Sequence, residues 1–402
     1  MSEAIQSESL APDDGPVPYA SPASNTDAPH VTTPQGYDAL LLAGFGGPEG
    51  QDDVIPFLRN VTAGRDIPDE RLEEVATHYR HFGGISPINA QNKQLQAAIA
   101  AELRNRDIAL PVYWGNRNWA PYLTEAVTEA AENGHTRLLA IATSAYSSYS
   151  SCRQYREDFA RTLIDTGLAG KVTIDKIRQF FDHPGFVTPF IEGVDNALQQ
   201  FAAEGLVPEE IRVMFATHSI PLTDAARSGP AELELGEGGA YAAQHLAVGT
   251  TIMEQLRQAT LEWATTQWEL VYQSRSGPAS QPWLEPDVCD RIAELPAEGV
   301  KAVAIVPLGF LSDHMEVLWD LDEEAIQAAQ DAGLRAVRTQ TPGVHQDFVR
   351  GLVDLIEERI TAQPAAERPA MTTLGPWYDV CRPGCCENVR RGFGPAAAGL
   401  VP

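Results

Sequence analysis

Two short segments of the chain place reactive side chains directly after apolar runs. Residues 215–221 read Phe-Ala-Thr-His-Ser-Ile-Pro, and residues 306–322 lead from Val-Pro-Leu-Gly-Phe to a stretch that contains Glu316. A parallel strand has this pattern when it delivers polar residues to its carboxyl edge. We therefore expect His218 and Glu316 at neighbouring strand ends, facing each other across a cleft. A neutral imidazole opposite a carboxylate suits a site that binds a divalent metal and removes protons from a ligand.

The elements that must position this pair follow from the pattern of residues 37–362, where apolar runs alternate with amphipathic stretches. This alternation predicts an α/β fold built from βαβ units with parallel sheets. Strands are predicted at residues 39–43, 112–115, 138–143, 172–177, 211–217, 270–273, 302–307 and 336–339. Helices are predicted at residues 89–105, 120–133, 186–204, 242–265 and 322–332. Two similar halves, residues 37–180 and 181–362, predict two Rossmann-like lobes with a central cleft that contains the ligand site.

The two ends of the chain differ from these lobes in composition. Residues 1–36 contain six prolines, five acidic residues and neither lysine nor arginine, so we expect a disordered N-terminal segment. Residues 363–402 form an Ala- and Pro-rich C-terminal tail that contains a group of cysteines. The last part of this tail, residues 393–402, has the composition of a mobile chain end.

The overall composition excludes several kinds of partner. Fifty-five acidic and 29 basic residues give a net charge of −26, which repels nucleic acid and anionic membrane surfaces. No apolar run reaches the roughly 18 residues that a transmembrane helix requires. The chain also lacks the basic and apolar regions of a signal peptide at its start. We therefore expect a cytoplasmic protein that binds no nucleic acid and does not insert into a membrane.

Five segments resemble the ferrochelatase family, whose members insert ferrous iron into a porphyrin, and they occur in the family's order. They are residues 39–48, 78–87 with Gly-Gly-Ile-Ser-Pro, the Ser- and Tyr-rich stretch 147–155, 215–221 and 306–322. The resemblance covers roughly residues 37–362. It implies two Rossmann-like lobes around a porphyrin cleft. The chain has no G-x-x-x-x-G-K-[ST] motif, which argues against the ATP-driven magnesium and cobalt chelatases.

The resemblance implies that His218 and Glu316 are the catalytic residues and contact the substrate Fe²⁺. Either could instead be structural, a histidine satisfied by hydrogen bonds or an exposed acid at a helix start, but the surrounding motifs favour function. Asp320, Glu323 and Glu324 follow Glu316 at helical spacing and would form an acidic stripe. Asp320 and Glu324 are thus candidates for a path by which hydrated iron reaches the cleft. Acids favoured by a helix dipole are the alternative interpretation.

Porphyrin contacts are implied by the resemblance at Ser86 and Tyr155, which correspond to positions that hydrogen-bond a propionate or the neighbouring edge of the ring. Tyr79 is a weaker candidate. Phe45 stands where some Gram-positive relatives have a tyrosine that ligates the product iron. Because phenylalanine cannot ligate iron, either His218 provides the axial contact or the edges of the ring alone hold the product.

Three of the five cysteines lie within six residues of the C-terminal tail. In a cytoplasmic enzyme, such a group favours metal binding over disulfides, and the spacing alone leaves Zn²⁺ and a [2Fe–2S] cluster open. The resemblance to actinobacterial and animal ferrochelatases implies a [2Fe–2S] cluster with four cysteine ligands, Cys152, Cys381, Cys385 and Cys386. Two adjacent ligands are geometrically awkward, so Cys289 stays open as a substitute, although its surroundings also fit a buried apolar cysteine.

The resemblance therefore implies an actinobacterial-type ferrochelatase, expected to be monomeric, whose substrates are Fe²⁺ and coproporphyrin III. Its product, coproheme, would pass to a coproheme decarboxylase. Protoporphyrin IX is the alternative porphyrin. A cobalt or sirohydrochlorin chelatase of the same fold is another alternative, although such enzymes tend to use paired histidines and lack the cysteine tail. A porphyrin carrier that does not metallate its ligand is the non-enzyme alternative.

Overall fold

The computed structural model describes residues 30–64, 67–277, 280–382, 384–390 and 394–399. Most of the N-terminal segment that we predicted to be disordered, residues 1–29, lies outside the described residues. Residues 30–36 are described, and Val31 among them is buried.

Eight strands of the described residues form two four-stranded parallel sheets with the same topology. The first sheet has the spatial order β2-β1-β3-β4, and its strands are β1 (Ala39–Gly44), β2 (Val112–Asn116), β3 (Arg137–Ala142) and β4 (Thr173–Lys176). The second has the order β6-β5-β7-β8, with β5 (Ile211–His218), β6 (Gln267–Gln273), β7 (Ala302–Val306) and β8 (Arg335–Arg338). The strands β1 and β7 are buried on both faces, so their residues are apolar throughout and do not alternate between apolar and polar. The predicted α/β class and all eight predicted strands are confirmed.

Helices connect the strands and cover both faces of the sheets. In the first lobe they are α1 (Val54–Val61), α2 (Asp69–His81), α3 (Ile88–Asn105), α4 (Leu123–Glu132) and α5 (Gln154–Asp165). Further along the chain they are α6 (Pro184–Ala203), α7 (Leu222–Ala226), α8 (Gly239–Ala259), α9 (Val288–Glu294), α10 (Ile326–Asp331) and α11 (Gln346–Thr361). Two π-helices, Tyr149–Arg153 and Val317–Ala325, precede α5 and α10. Among the described residues, no helix is long and apolar enough to cross a bilayer.

One continuous apolar core joins the two lobes. It includes Leu42 and Ile141 of the first sheet, Phe215 and Val306 of the second, and Phe186 of α6. Each such side chain contributes about 1.5–3 kcal/mol by its burial. The lobes therefore pack directly against each other, and the division at residue 180 stays a prediction.

Buried ion pairs and a hydrogen bond fasten residues 30–36 and the start of the tail to the lobes. Arg359 of α11 pairs with Asp175 of β4 at 3.2 Å and with Asp379 of the tail at 4.0 Å. Arg368 pairs with Asp379 at 2.7 Å, and Asp379 also accepts a hydrogen bond of 2.7 Å from the backbone N–H of Val31. Removing one partner of a buried pair costs about 3–5 kcal/mol because a charge is left uncompensated. Residues 30–36 and the start of the tail are therefore integral to the fold.

The expectation of a mobile end does not hold for residues 394–399. The guanidinium Nε of Arg156 donates to the carbonyl of Ala397 at 2.8 Å, and the N–H of Ala397 donates to the carbonyl of Arg156 at 2.9 Å. Gly399 forms a parallel bridge with Cys381. These backbone bonds hold the segment against α5, although its small residues gave no sign of packing. Residues 391–393 and 400–402 lie outside the described residues.

Candidate active site

His218 is the last residue of β5, the strand that lies between β6 and β7 in the second sheet. Its carbonyl accepts a 2.8 Å hydrogen bond from the hydroxyl of Tyr241, and its ring Nδ1 bonds the carbonyl of Ser219. These contacts leave Nε2 directed at Glu316, whose Oε1 lies 3.7 Å away. The two side chains are 33% and 47% exposed, so a ligand in the cleft can contact both.

Glu316 is brought to His218 because the loop after β7 crosses the end of β5. A Cβ on Gly309 would lie 2.1 Å from the hydroxyl of Thr217, so only glycine permits this approach. The N–H of Gly309 donates to the carbonyl of Ala216 at 3.1 Å. Further along the loop, the amide of Gln273 at the end of β6 donates to the carbonyl of Glu316 at 2.9 Å. The predicted meeting of both residues at strand ends is thus observed.

The two charges of the pair stabilise each other. Burial lowers the pKa of His218, but the charge of Glu316 and its hydrogen bond, the bond with the Ser219 carbonyl and the charge of Asp320 together raise it to about 9. Burial raises the pKa of Glu316, but the charge of His218, its hydrogen bond and the charge of His314 together lower it to about 2. The ligand-free pair is therefore an imidazolium and a carboxylate at neutral pH. The neutral imidazole that a metal ligand requires would form only once His218 loses this proton, so that expectation stays a prediction.

Asp320 lies beside this pair with a different protonation behaviour. The hydroxyl of Ser274 donates to its Oδ2, and the amide of Gln273 donates to the same atom at 3.3 Å. Burial and the charge of Glu316 raise the pKa of Asp320 to about 7. Asp320 is therefore half protonated near neutral pH, which suits a group that exchanges protons with its neighbours.

The predicted acidic stripe differs from an α-helical stripe because residues 317–325 form a π-helix. Side chains five residues apart are neighbours there, and Trp319 Nε1 accordingly donates to Glu324 Oε1 at 2.9 Å. Glu323 lies 3.7 Å from the His81 ring of α2. Glu324 lines an outer pocket together with Cys289. Asp320 therefore lies next to His218 and Glu316, whereas Glu323 and Glu324 contact His81 and Trp319.

The first lobe places the predicted porphyrin residues in different environments. The charges of Glu316 and Asp320 act on Tyr79, whose pKa is raised mainly by burial and further by these two acids. Ser86 is buried in a tight turn, where a Cβ on Gly47 would lie 2.7 Å from its Cβ. Tyr79 therefore lies close enough to Glu316 and Asp320 to be affected by their charges, and Ser86 lies in the predicted loop.

Tyr155 and Phe45 are the remaining first-lobe candidates. Tyr155 is 3% exposed, and the Arg117 guanidinium lies over its ring at 4.0 Å from the centroid. Phe45 is 37% exposed and packs edge-on against Phe57, with 6.4 Å between ring centroids. Arg117 therefore separates one face of the tyrosine from solvent, while Phe45 offers an apolar surface to a ligand. The porphyrin contacts stay predictions.

The four predicted cysteine ligands lie together. The sulfur atoms of Cys152 and Cys381 are 3.7 Å apart, and those of Cys385 and Cys386 are 3.8 Å apart. A positive φ of 56° at Cys386 turns the chain between the adjacent cysteines. Cys289 lies elsewhere, on α9. No group of three or more His, Cys, Asp or Glu side chains in the described ranges could hold a metal ion as placed.

The ferrochelatase family model matches residues 37–360 of the chain. The chain belongs to the ferrochelatase family. A coproporphyrin III ferrochelatase of Leifsonia xyli subsp. xyli is 65% identical over 391 residues, which cover 95% of this chain and 99% of the relative. A coproporphyrin III ferrochelatase of Streptomyces coelicolor is 50% identical over 375 residues, covering 92% and 98%. Among solved structures, SirB from Bacillus subtilis with Fe³⁺ is 13% identical at a TM-score of 0.46, covering 84% of this chain and 100% of that one.

In this member of the ferrochelatase family, two residues beside the pair were missed by sequence reasoning. His314 accepts a 3.2 Å hydrogen bond at Nδ1 from the N–H of Glu316. Because His314 lies within the 306–322 segment, that motif could have identified it as a candidate site residue. Tyr241 lies 23 residues after His218 and touches it through the fold alone. No motif marks Tyr241, and only the packing of α8 against β5 reveals its contact.

Proposed function

We propose that this chain inserts Fe²⁺ into coproporphyrin III, giving coproheme in haem biosynthesis, without ATP. The observation that carries the proposal is the pair of His218 Nε2 and Glu316 Oε1, 3.7 Å apart at the cleft edge of the second sheet. Coproporphyrin III ferrochelatases that are 65% and 50% identical over most of the chain support the choice of substrate. A cytoplasmic location, a monomeric state and consumption of the product by a coproheme decarboxylase belong to the same proposal.

The proposed reaction replaces two pyrrole N–H protons by one Fe²⁺, so two protons must leave the site. In the ligand-free pair, Glu316 is ionised and His218 carries a proton. Fe²⁺ that approaches Glu316 competes for the carboxylate charge and so weakens the hold on the imidazolium proton. Once this proton leaves, the His218 lone pair can contact the metal or accept a pyrrole proton. Asp320, with a pKa of about 7, can pass protons between the pair and solvent.

The porphyrin is proposed to lie between the two lobes, with Ser86, Tyr79 and Tyr155 on the first-lobe side. The influence of the second-lobe acids on Tyr79 supports this placement. Phe45 can pack on the face of the ring but has no atom that ligates iron. The axial contact to the product iron is therefore proposed for His218.

The proposal is tested by anaerobic insertion of Fe²⁺ into coproporphyrin III and, in parallel, into protoporphyrin IX. We expect the kcat/KM for coproporphyrin III to be at least about tenfold higher than that for protoporphyrin IX. Protoporphyrin IX lacks two of the propionates, so the polar groups that bind them would be left unpaired. Equal kcat/KM values would contradict the preference. If both porphyrins bind but neither is metallated, the proposed enzymatic activity is contradicted and a porphyrin carrier is favoured. Insertion of Co²⁺ into sirohydrochlorin alone would favour the other class of chelatase.

We also propose that Cys152, Cys381, Cys385 and Cys386 bind a [2Fe–2S] cluster. Two tetrahedral thiolate ligands, each about 2.3 Å from a metal, have their sulfurs about 3.8 Å apart. The two observed sulfur pairs, at 3.7 and 3.8 Å, support this fit. When bound, the cluster would cross-link the tail to the first lobe. It is not needed for insertion, because insertion of Fe²⁺ transfers no electrons.

The cysteine proposal is tested by the visible spectrum and by the iron and sulfide content of protein that has been purified under nitrogen. We expect iron and acid-labile sulfide in near-equal amounts, with charge-transfer bands. Cys381→Ser should be colourless and less stable, whereas the matched variant Cys289→Ser should keep the spectrum. Stoichiometric zinc without sulfide would contradict the cluster and indicate a structural zinc site.

A further inference from the structure

The hydroxyl of Tyr241 lies at the end of β5, directly behind the proposed catalytic histidine. Tyr241 is 5% exposed, and its Oη lies 2.8 Å from the carbonyl oxygen of His218 and 2.8 Å from the hydroxyl of Thr217. Because a carbonyl only accepts, Tyr241 must donate to His218. Its single proton is then used, so Thr217 must donate to Tyr241. Both hydrogen bonds of the tyrosine hydroxyl therefore have a defined direction.

This hydrogen bond acts on the peptide group that sets the direction of the His218 ring. The ring Nδ1 bonds the carbonyl of Ser219, the next residue. The hydroxyl of Ser219 in turn donates to the carbonyl of Leu284 at 2.8 Å. Tyr241 therefore holds the carbonyl group of His218, and Leu284 holds the side chain of Ser219, the next residue. With the backbone held at both points, His218 Nε2 lies 3.7 Å from Glu316 Oε1.

Tyr241 is itself held by the turn of residues 227–229, which accepts hydrogen bonds from the first turn of helix α8. The N–H of Tyr241 donates to the hydroxyl of Ser228 at 2.9 Å, and the N–H of Ala240 donates to its carbonyl at 3.1 Å. Gly239 approaches the preceding helix so closely that a Cβ would lie 2.1 Å from the Ala225 carbonyl. This close packing fixes the position of the start of α8, and therefore of Tyr241, relative to β5.

The same turn contacts the cysteine segment. The N–H of Gly229 donates to the sulfur of Cys386 at 3.2 Å, and the N–H of Cys386 donates to the carbonyl of Arg227 at 3.1 Å. A continuous series of hydrogen bonds therefore runs from Cys386 through the turn to Tyr241 and His218.

We propose that Tyr241 is a positioning residue for His218, and that the turn of residues 227–229, bonded to Cys386, holds Tyr241 in place. This inference rests on the proposed role of His218 in iron insertion. Tyr241 acts through the protein backbone, because both bonds of its hydroxyl go to β5. It therefore affects the rate of the chemical step and leaves porphyrin binding unchanged.

The variant Tyr241→Phe removes the hydroxyl and keeps the ring. We expect kcat to fall about tenfold or more, because small displacements of a reacting group are costly. The KM values for porphyrin and Fe²⁺ should stay within about twofold. The matched control is Tyr113→Phe, which also loses one hydrogen-bonded hydroxyl, here an acceptor from Asn133 at 3.0 Å in the first lobe. A kcat of Tyr241→Phe equal to that of Tyr113→Phe, or a change confined to KM, would overturn the proposal.

A second readout does not depend on activity. In protein labelled with ¹³Cε1-histidine, the signal of His218 is assigned by its loss in His218→Ala. Tyr241→Phe should move this signal, and Tyr113→Phe should not. An unmoved signal overturns the positioning role even if the chain proves inactive. If instead the signal moves and the unmodified chain inserts no iron, the proposed function fails while the positioning role stands.

The role of the turn is tested by Ser228→Ala and by the double variant with Tyr241→Phe. If Ser228 acts through Tyr241, the double variant should be no slower than Tyr241→Phe alone, because the hydroxyl bond to His218 through which Ser228 would act is already lost. Independent losses that multiply in the double variant would show that the turn does not act through the tyrosine.

Discussion

Replacing Glu316 by glutamine should change the protonation of His218 by a large and measurable amount. Glutamine keeps the size of the side chain and removes its charge. Burial lowers the pKa of His218, and Glu316 is the main group that raises it from the ordinary 6.5 to about 9. Without that carboxylate, burial opposes only smaller contributions such as that of Asp320. We therefore expect the pKa of His218 in Glu316→Gln to fall to about 6.5 or below, a change of at least about two pH units.

The assay is an NMR titration of ¹³Cε1-labelled histidine in the ligand-free protein between pH 5 and about 10. The matched control is Glu323→Gln, because Glu323 lies 3.7 Å from His81 on another part of the cleft mouth. In this control, His218 should still titrate near 9. A His218 that titrates near 6.5 in the unmodified protein, or near 9 in Glu316→Gln, would refute the charged-pair description of the site. Iron insertion by Glu316→Gln should fall by about 10²-fold or more.

Two further results follow from the charges around the site and in the core. Asp320→Asn should raise the KM for Fe²⁺ several-fold and, because asparagine cannot pass protons from the pair, should also lower kcat by a smaller factor. Initial rates measure both, and an unchanged KM would contradict a role on the path of the metal. Burial lowers the pKa of His245 to about 3, so this histidine takes up a proton more readily in the unfolded chain. Its contribution to stability is present above pH 6.5 and should be lost at about 1.4 kcal/mol per pH unit as the pH falls towards 3. Urea unfolding at several pH values measures this loss, and His245→Phe should weaken the dependence.

The fold was predictable from sequence because its signals are local. The strands β1 and β7 are continuous apolar runs, as buried parallel strands require, and they were predicted to within one residue of their bounds. His218 and Glu316 were found for the same reason, since each follows such a run. Parallel pairing then brings the two ends to one edge of the sheet.

Other features could not be predicted because they depend on contacts between distant residues. The π-helix Val317–Ala325 has the same polar spacing as an α-helix, and the bond from Trp319 to Glu324 appears only in the structure. Residues 394–399 are small and apolar, and their order comes from hydrogen bonds with the side chain and the backbone of Arg156. The charge on His218 is set by its distance from Glu316, which sequence does not give.

The central claim, that His218 takes part in iron insertion, is tested most directly by separating porphyrin binding from turnover in His218→Ala. Coproporphyrin III binding is measured by fluorescence, and insertion of Fe²⁺ by anaerobic single-turnover absorbance. The matched control is His135→Ala, because His135 packs against Tyr113 in the first lobe, with 5.8 Å between ring centroids. We expect His218→Ala to bind the porphyrin within about threefold of the unmodified affinity and to insert iron about 10²-fold or more slowly, with His135→Ala unchanged in both. Near-normal insertion by His218→Ala would contradict the account.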